Sequence, residues 1–95
     1  MITVTFDGLR MEVEGHALFD EHGKDIVCAG ASTLAFTLAE YMQRYWGKVT
    51  IKEGSMTITT KSYDREPEIA FDIIKTGYKL LAAKYPDHIT LIDIG

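Results

Sequence analysis

From residue 2 to residue 13 apolar and polar side chains alternate: Ile2, Val4 and Phe6 against Thr3, Thr5 and Asp7, then Met11 and Val13. A period of two predicts strands with one face buried and the other wet. Asp7-Gly8, between the two runs, is a hairpin turn dipeptide. The pattern repeats in Val49-Thr50-Ile51-Lys52 and Met56-Thr57-Ile58-Thr59-Thr60, with Glu53-Gly54 as the turn. A last alternating run, 88–94, closes the chain.

Two segments follow a helical period instead. In the second, Ala70, Ile73, Ile74, Gly77, Leu80 and Leu81 form one apolar stripe. Glu66-Pro67 opens that helix, proline being tolerated in a first turn, and Tyr85-Pro86-Asp87 ends it. Its stripe is expected to lie on the sheet. The first helix, over 25–45, carries apolar residues on nearly every side, from Ile26 and Val27 through Leu34, Phe36 and Leu38 to Tyr45. A helix apolar all round is buried all round. One sheet and one further helix cannot easily bury it, so part of it is expected to face a second copy of the chain. The order β-β-α-β-β-α-β reads as α+β: an antiparallel-rich sheet with two helices packed on one face.

With 95 residues there is room for one core, hence one domain over 1–95. A hydrophobic share of 46% beside 25% charged residues excludes intrinsic disorder. The net charge of −4 argues against direct nucleic-acid binding, which needs a basic footprint, and suits a basic protein partner. A single cysteine excludes an internal disulfide and fits a reducing compartment. The N-terminus has no signal-peptide pattern, and the longest uncharged stretch, 26–39, is too short for a bilayer. The expectation is a cytoplasmic domain with no membrane contact.

The chemistry-bearing residues gather in 14–32. Asp25 is a good N-cap for the first helix, which puts Cys28 near the third helical position. The partial positive charge of a helix N-terminus favours a thiolate, the form that attacks carbonyl carbon. His16, off the end of a strand at the mouth of the same loop, is a candidate base and proton donor. Gly30, Ala31 and Ser32 are small and leave room for a substrate backbone or for close helix packing. A buried apolar cysteine and a structural or solvated histidine are the plainer alternatives at these positions. His22 and His88 read as solvated. His16, His22 and Cys28 match no structural-zinc spacing, so no metal and no cofactor are expected.

Gly15-His16-Ala17, Gly23, Asp25-Ile26-Val27-Cys28-Ala29 and Ser32 together resemble the signature of the ribosomal-processing cysteine protease family, Prp or YsxB-like. Gly77-Tyr78-Lys79-Leu80-Leu81-Ala82 and Tyr85-Pro86-Asp87-His88-Ile89 resemble that family's second helix and its exit. Gly30 stands where the family often has a bulkier or alanine-only run. The resemblance implies a homodimeric cysteine peptidase with a Cys-His dyad. It would remove the N-terminal extension of large-subunit ribosomal protein twenty-seven, cutting after a pair of aromatic residues.

By the matching motifs Cys28 would be the nucleophile and His16 the base, twelve residues apart as in the family pattern. Asp25 would orient the site as well as cap the helix. Gly15, Ala29, Gly30 and Ser32 are candidate substrate contacts beside an apolar groove, and 17–24 is a candidate lid. A competing expectation, from a different functional class, is a non-catalytic homodimeric module that binds a ribosomal or other basic protein.

Overall fold

The computed structural model describes residues 1–15, 26–62 and 64–95. The elements run β1 (Ile2–Phe6), β2 (Arg10–Glu14), α1 (Ile26–Met42), β3 (Lys48–Lys52), β4 (Ser55–Thr59), α2 (Arg65–Lys84) and β5 (Ile89–Asp93), with one 3-10 turn over Gln43–Tyr45 after α1. The five strands form one sheet in the order β3-β4-β2-β1-β5. Three pairings are antiparallel, and β1 pairs with β5 in parallel. The expected α+β order and the antiparallel-rich sheet are those observed.

Both hairpins form where the alternation places them. In the first, Asp7 and Arg10 exchange backbone hydrogen bonds, with Gly8 at φ +57°. In the second, Gly54 takes φ +77° between Lys52 and Ser55, which face each other. These are conformations that L side chains adopt at a cost of about 1–2 kcal/mol. Ile2, Val4, Phe6, Met11, Val13, Met56, Ile58 and Ile89 are buried on one sheet face, under the two helices.

α1 buries Cys28, Ala31, Ala35, Leu38 and Met42, a stripe spaced alternately three and four residues apart, with Val27 and Ala39 beside it. Alanine at two of those positions brings the helix backbone close to its neighbours. The rest of α1 is uncovered within the single chain: Ile26 and Phe36 are exposed, and so are Ala29, Thr33 and Thr37, the part of the helix expected to face a second copy. The helix ends at Met42, earlier than the periodicity suggested. Trp46 adopts the left-handed conformation at φ 57°, and the Gly47 N–H donates to the Met42 carbonyl at 2.9 Å, closing the last turn.

α2 also differs from its expected face. Its buried residues are Pro67, Phe71, Ile74 and Tyr78, whereas Ile73 and Leu80 are 64% and 70% exposed. Two aromatic rings take the core side because they fill the most volume there. Ala70, Gly77 and Leu81 lie at the flank, where Gly77 and Leu81 meet α1. The Lys75 ammonium pairs with Asp93 at 3.1 Å, tying α2 to β5. Among the described residues no helix is long and apolar enough to cross a membrane.

Candidate active site

The chain leaves β2 at Gly15, whose N–H donates to the Gly54 carbonyl at 2.9 Å. Its φ of +142° is closed to L side chains, and a Cβ there would sit 2.8 Å from the Met1 carbonyl oxygen and 3.0 Å from Ile2 Cα. The glycine is therefore required by the close passage of two backbones. Residues 16–25, with His16, His22, Asp25 and the candidate lid 17–24, lie outside the described residues, as does Tyr63.

The chain is described again from Ile26, the first residue of α1, which makes Cys28 the third helical residue. Cys28 is the one cysteine in the sequence; its thiol is free and 7% exposed. The first turn of α1 contains no acidic side chain. A helix N-terminus carries partial positive charge, a feature that stabilises a thiolate or an oxyanion placed there.

The strand end and the helix start belong to one end of the molecule. Ile2, against which Gly15 packs, donates its N–H to the His88 carbonyl at 2.9 Å. The His88 N–H donates to Tyr85 at the C-terminal end of α2. Leu81, one turn earlier, packs on Gly30, so that a Cβ on Gly30 would lie 3.3 Å from Leu81 Cδ1. His88 itself is exposed.

Ala29 and Gly30 line a shallow apolar groove of about 570 Å³ with Ile26, Leu34, Leu80 and Leu81. Ser32, half-buried and one turn beyond Cys28, lies on a different concavity with Phe36 and Arg44. The structure thus puts Ala29 and Gly30 in one groove beside the first turn of α1 and separates Ser32 from it. Gly15 is held against the start of β1. Among the described residues no cluster of three or more metal-ligating side chains occurs.

Sequence reasoning gave Tyr78 no role beyond the motif that contains it. The structure buries it completely and directs its Oη–H to the Ala31 carbonyl at 2.7 Å. Desolvation raises its phenol pKa well above the ordinary value, so it remains a donor at neutral pH. The signal in the sequence was the Gly77-Tyr78 pair, since a glycine beside a large buried aromatic marks close helix packing. Elsewhere, Glu12 and Glu14 share the outer face of β2. A hydrogen bond between them raises Glu14 and lowers Glu12, and Arg10 at 2.9 Å from Glu12 adds to the latter.

Comparison with known proteins gives a consistent picture. A sequence profile described as cysteine protease Prp matches residues 1–90. The ribosomal processing cysteine protease Prp of Mycoplasma genitalium is 34% identical over 95 residues, covering 96% of this chain and 94% of that protein. Its counterpart in Mycoplasma pneumoniae is 28% identical, covering 98% and 95%. Among solved structures, the essential ribosomal processing protease Prp from S. aureus, with a covalently linked product peptide, superposes with a TM-score of 0.83. It is 24% identical and covers 98% of this chain and 99% of that one, a likeness of fold. SMU.848 from Streptococcus mutans superposes with a TM-score of 0.77 at 29% identity, covering 98% and 93%.

Proposed function

Because the chain belongs to the cysteine protease Prp family, we propose that it processes a ribosomal protein precursor with Cys28 as nucleophile and His16 as general base. That it is a cysteine peptidase follows from the family and from its curated relatives. One observation carries the assignment of the nucleophile. A cysteine peptidase needs a reactive thiol, and Cys28 is the one cysteine in the sequence, in the first turn of a helix.

In this reading His16 takes the thiol proton as the sulfur attacks the scissile carbonyl. Backbone N–H groups at the start of α1 hold the oxyanion. The imidazolium then protonates the leaving amine, and water attacks the acyl-enzyme thioester to restore the thiol. Asp25 orients the site. The substrate is the N-terminal extension of large-subunit ribosomal protein twenty-seven, which the relatives' names and the motif resemblance support at the level of ribosomal processing. The apolar groove beside Ala29 and Gly30 would take aromatic residues of that extension.

The reaction is placed in the cytoplasm, and the lone thiol fits a reducing compartment. The working unit is a homodimer, an assignment supported by the exposed apolar residues Ile69 and Ile73 along α2. The test is cleavage, followed by mass spectrometry, of a synthetic peptide that spans the extension and the first residues of the mature ribosomal protein. Cys28→Ala, Cys28→Ser and His16→Ala are expected to abolish cleavage while leaving the circular dichroism spectrum unchanged. Cleavage at the wild-type rate by Cys28→Ala refutes the nucleophile, and by His16→Ala the base. An uncleaved peptide that nonetheless binds would favour the non-catalytic module.

A further inference from the structure

Just beyond Cys28, the helix meets its neighbours through small side chains, Ala31 and Ala35, which allow close approach; the larger Leu38 and Met42 anchor its later turns. What holds its first two turns against rotation comes from α2. Gly77 faces Leu34 so closely that a Cβ would fall 2.7 Å from Leu34 Cδ2. Gly30 receives Leu81 in the same way, at 3.3 Å. Between these two contacts the Tyr78 hydroxyl donates to the Ala31 carbonyl at 2.7 Å, buried and 47 residues away in sequence. The tyrosine ring is itself braced edge-on by Phe6 of β1, with centroids 6.1 Å apart and planes at 62°.

A glycine–leucine contact on each side fixes how near the two helices come. Being non-directional, apolar contacts do little to single out one slide position or one rotation of α1 about its axis. A directional bond to a main-chain oxygen does both, because Oη and the carbonyl must stay aligned. Ala31 follows Cys28 by three residues, so its carbonyl lies on the same side of the helix, close to one turn along. The brace therefore runs from the inner strand β1 through α2 to the turn that holds the sulfur.

We propose that Tyr78 is a positioning residue for Cys28: its buried hydrogen bond to Ala31 sets the rotation and axial place of the first turns of α1, and so the place of the sulfur relative to its catalytic partner. The proposal rests on the reading of Cys28 as nucleophile. A misplacement of about 1 Å in such a constellation costs on the order of a hundredfold in rate, so even a partial loosening is measurable.

The test compares Tyr78→Phe, which keeps the ring against Phe6 and deletes the donor, with Ile58→Val, a buried change on β4 of similar effect on stability. The readouts are cleavage of the extension peptide, native alkylation of Cys28 by iodoacetamide, and hydrogen exchange along α1. Tyr78→Phe is expected to lower kcat at least fivefold with KM within twofold. It is also expected to change the alkylation rate at least threefold and to speed exchange in 28–34 but not in 38–42. Ile58→Val is expected to alter none of these at 25 °C.

A Tyr78→Phe enzyme with kcat and alkylation rate within twofold of Ile58→Val overturns the proposal. Cys28→Ala separates the two layers. If it is inactive while Tyr78→Phe behaves as wild type, the positioning role alone falls; if it cleaves normally, the nucleophile and the positioning role fall together. Should Tyr78→Phe not fold, Gly77→Ala displaces the same seam through Leu34 and must show the same split of kcat from KM.

Discussion

Gly15→Ala is the substitution for which the structure fixes both sign and size most tightly. At φ +142° an alanine is strained by about 1–3 kcal/mol before any neighbour is considered. Its Cβ would also meet the Met1 carbonyl oxygen at 2.8 Å and Ile2 Cα at 3.0 Å. Both are backbone atoms. Ile2 is pinned by its pairing with Ile89 and by its N–H bond to His88, and Gly15 by its own N–H bond to Gly54. Neither side yields cheaply, and overpacking of this kind adds about 1–3 kcal/mol.

The expected loss is therefore roughly 3 kcal/mol, a Tm lower by more than about 10 °C in a chain of this size. Gly8→Ala is the control: φ is +57° and nothing lies within 4 Å of the added Cβ, so only about 1 kcal/mol is at stake. Urea titrations of the two variants and the parent, at equal m-value, give the comparison directly. Equal midpoints for Gly15→Ala and Gly8→Ala would show that backbone proximity at Gly15 carries no cost and refute the reasoning.

Two further outcomes are expected. Glu14 binds its proton more tightly in the folded chain than its ordinary value of 4.5 implies, because Glu12 shares it. The stability it contributes is full below that value and is lost as pH rises through the raised one. Glu14→Gln should therefore gain in urea midpoint over the parent at pH 7 and match it near pH 3, and no gain at pH 7 contradicts the pairing. The proposed dimer face predicts that Ile69→Lys with Ile73→Lys, both exposed within the chain, sediments as a monomer and unfolds at a lower urea midpoint that no longer depends on protein concentration. A persisting dimer moves the interface elsewhere.

The two hairpins were legible because alternation and a turn dipeptide are local, and both signals agreed at Asp7-Gly8 and Glu53-Gly54. The ladders that join distant parts, β2 with β4 and β1 with β5, were not, since no local pattern encodes which edge a hairpin takes. The helix spans were legible and their faces less so. α2 has a wide apolar arc, and sequence periodicity chose its middle at Ile73 and Leu80, whereas the sheet receives Phe71 and Tyr78, the residues that fill most space. Placing Cys28 in the first turn of α1 needed only the cap pattern of Asp25. The bond from Tyr78 to Ala31 was invisible, because a phenol and a carbonyl 47 residues apart leave no trace in spacing.

The parallel pairing of β1 with β5 orders events during folding. β1 precedes the other four strands of the sheet in sequence and sits inside it, yet one of its two neighbours is β5, which follows them all. Such distant pairing is slow to close and leaves a hydrogen-bonding edge open meanwhile. α2, which braces α1 and is tied to β5 through Lys75 and Asp93, gains that tie only when the pairing closes. The helix bearing Cys28 is thus braced in full only after this long-range pairing has formed.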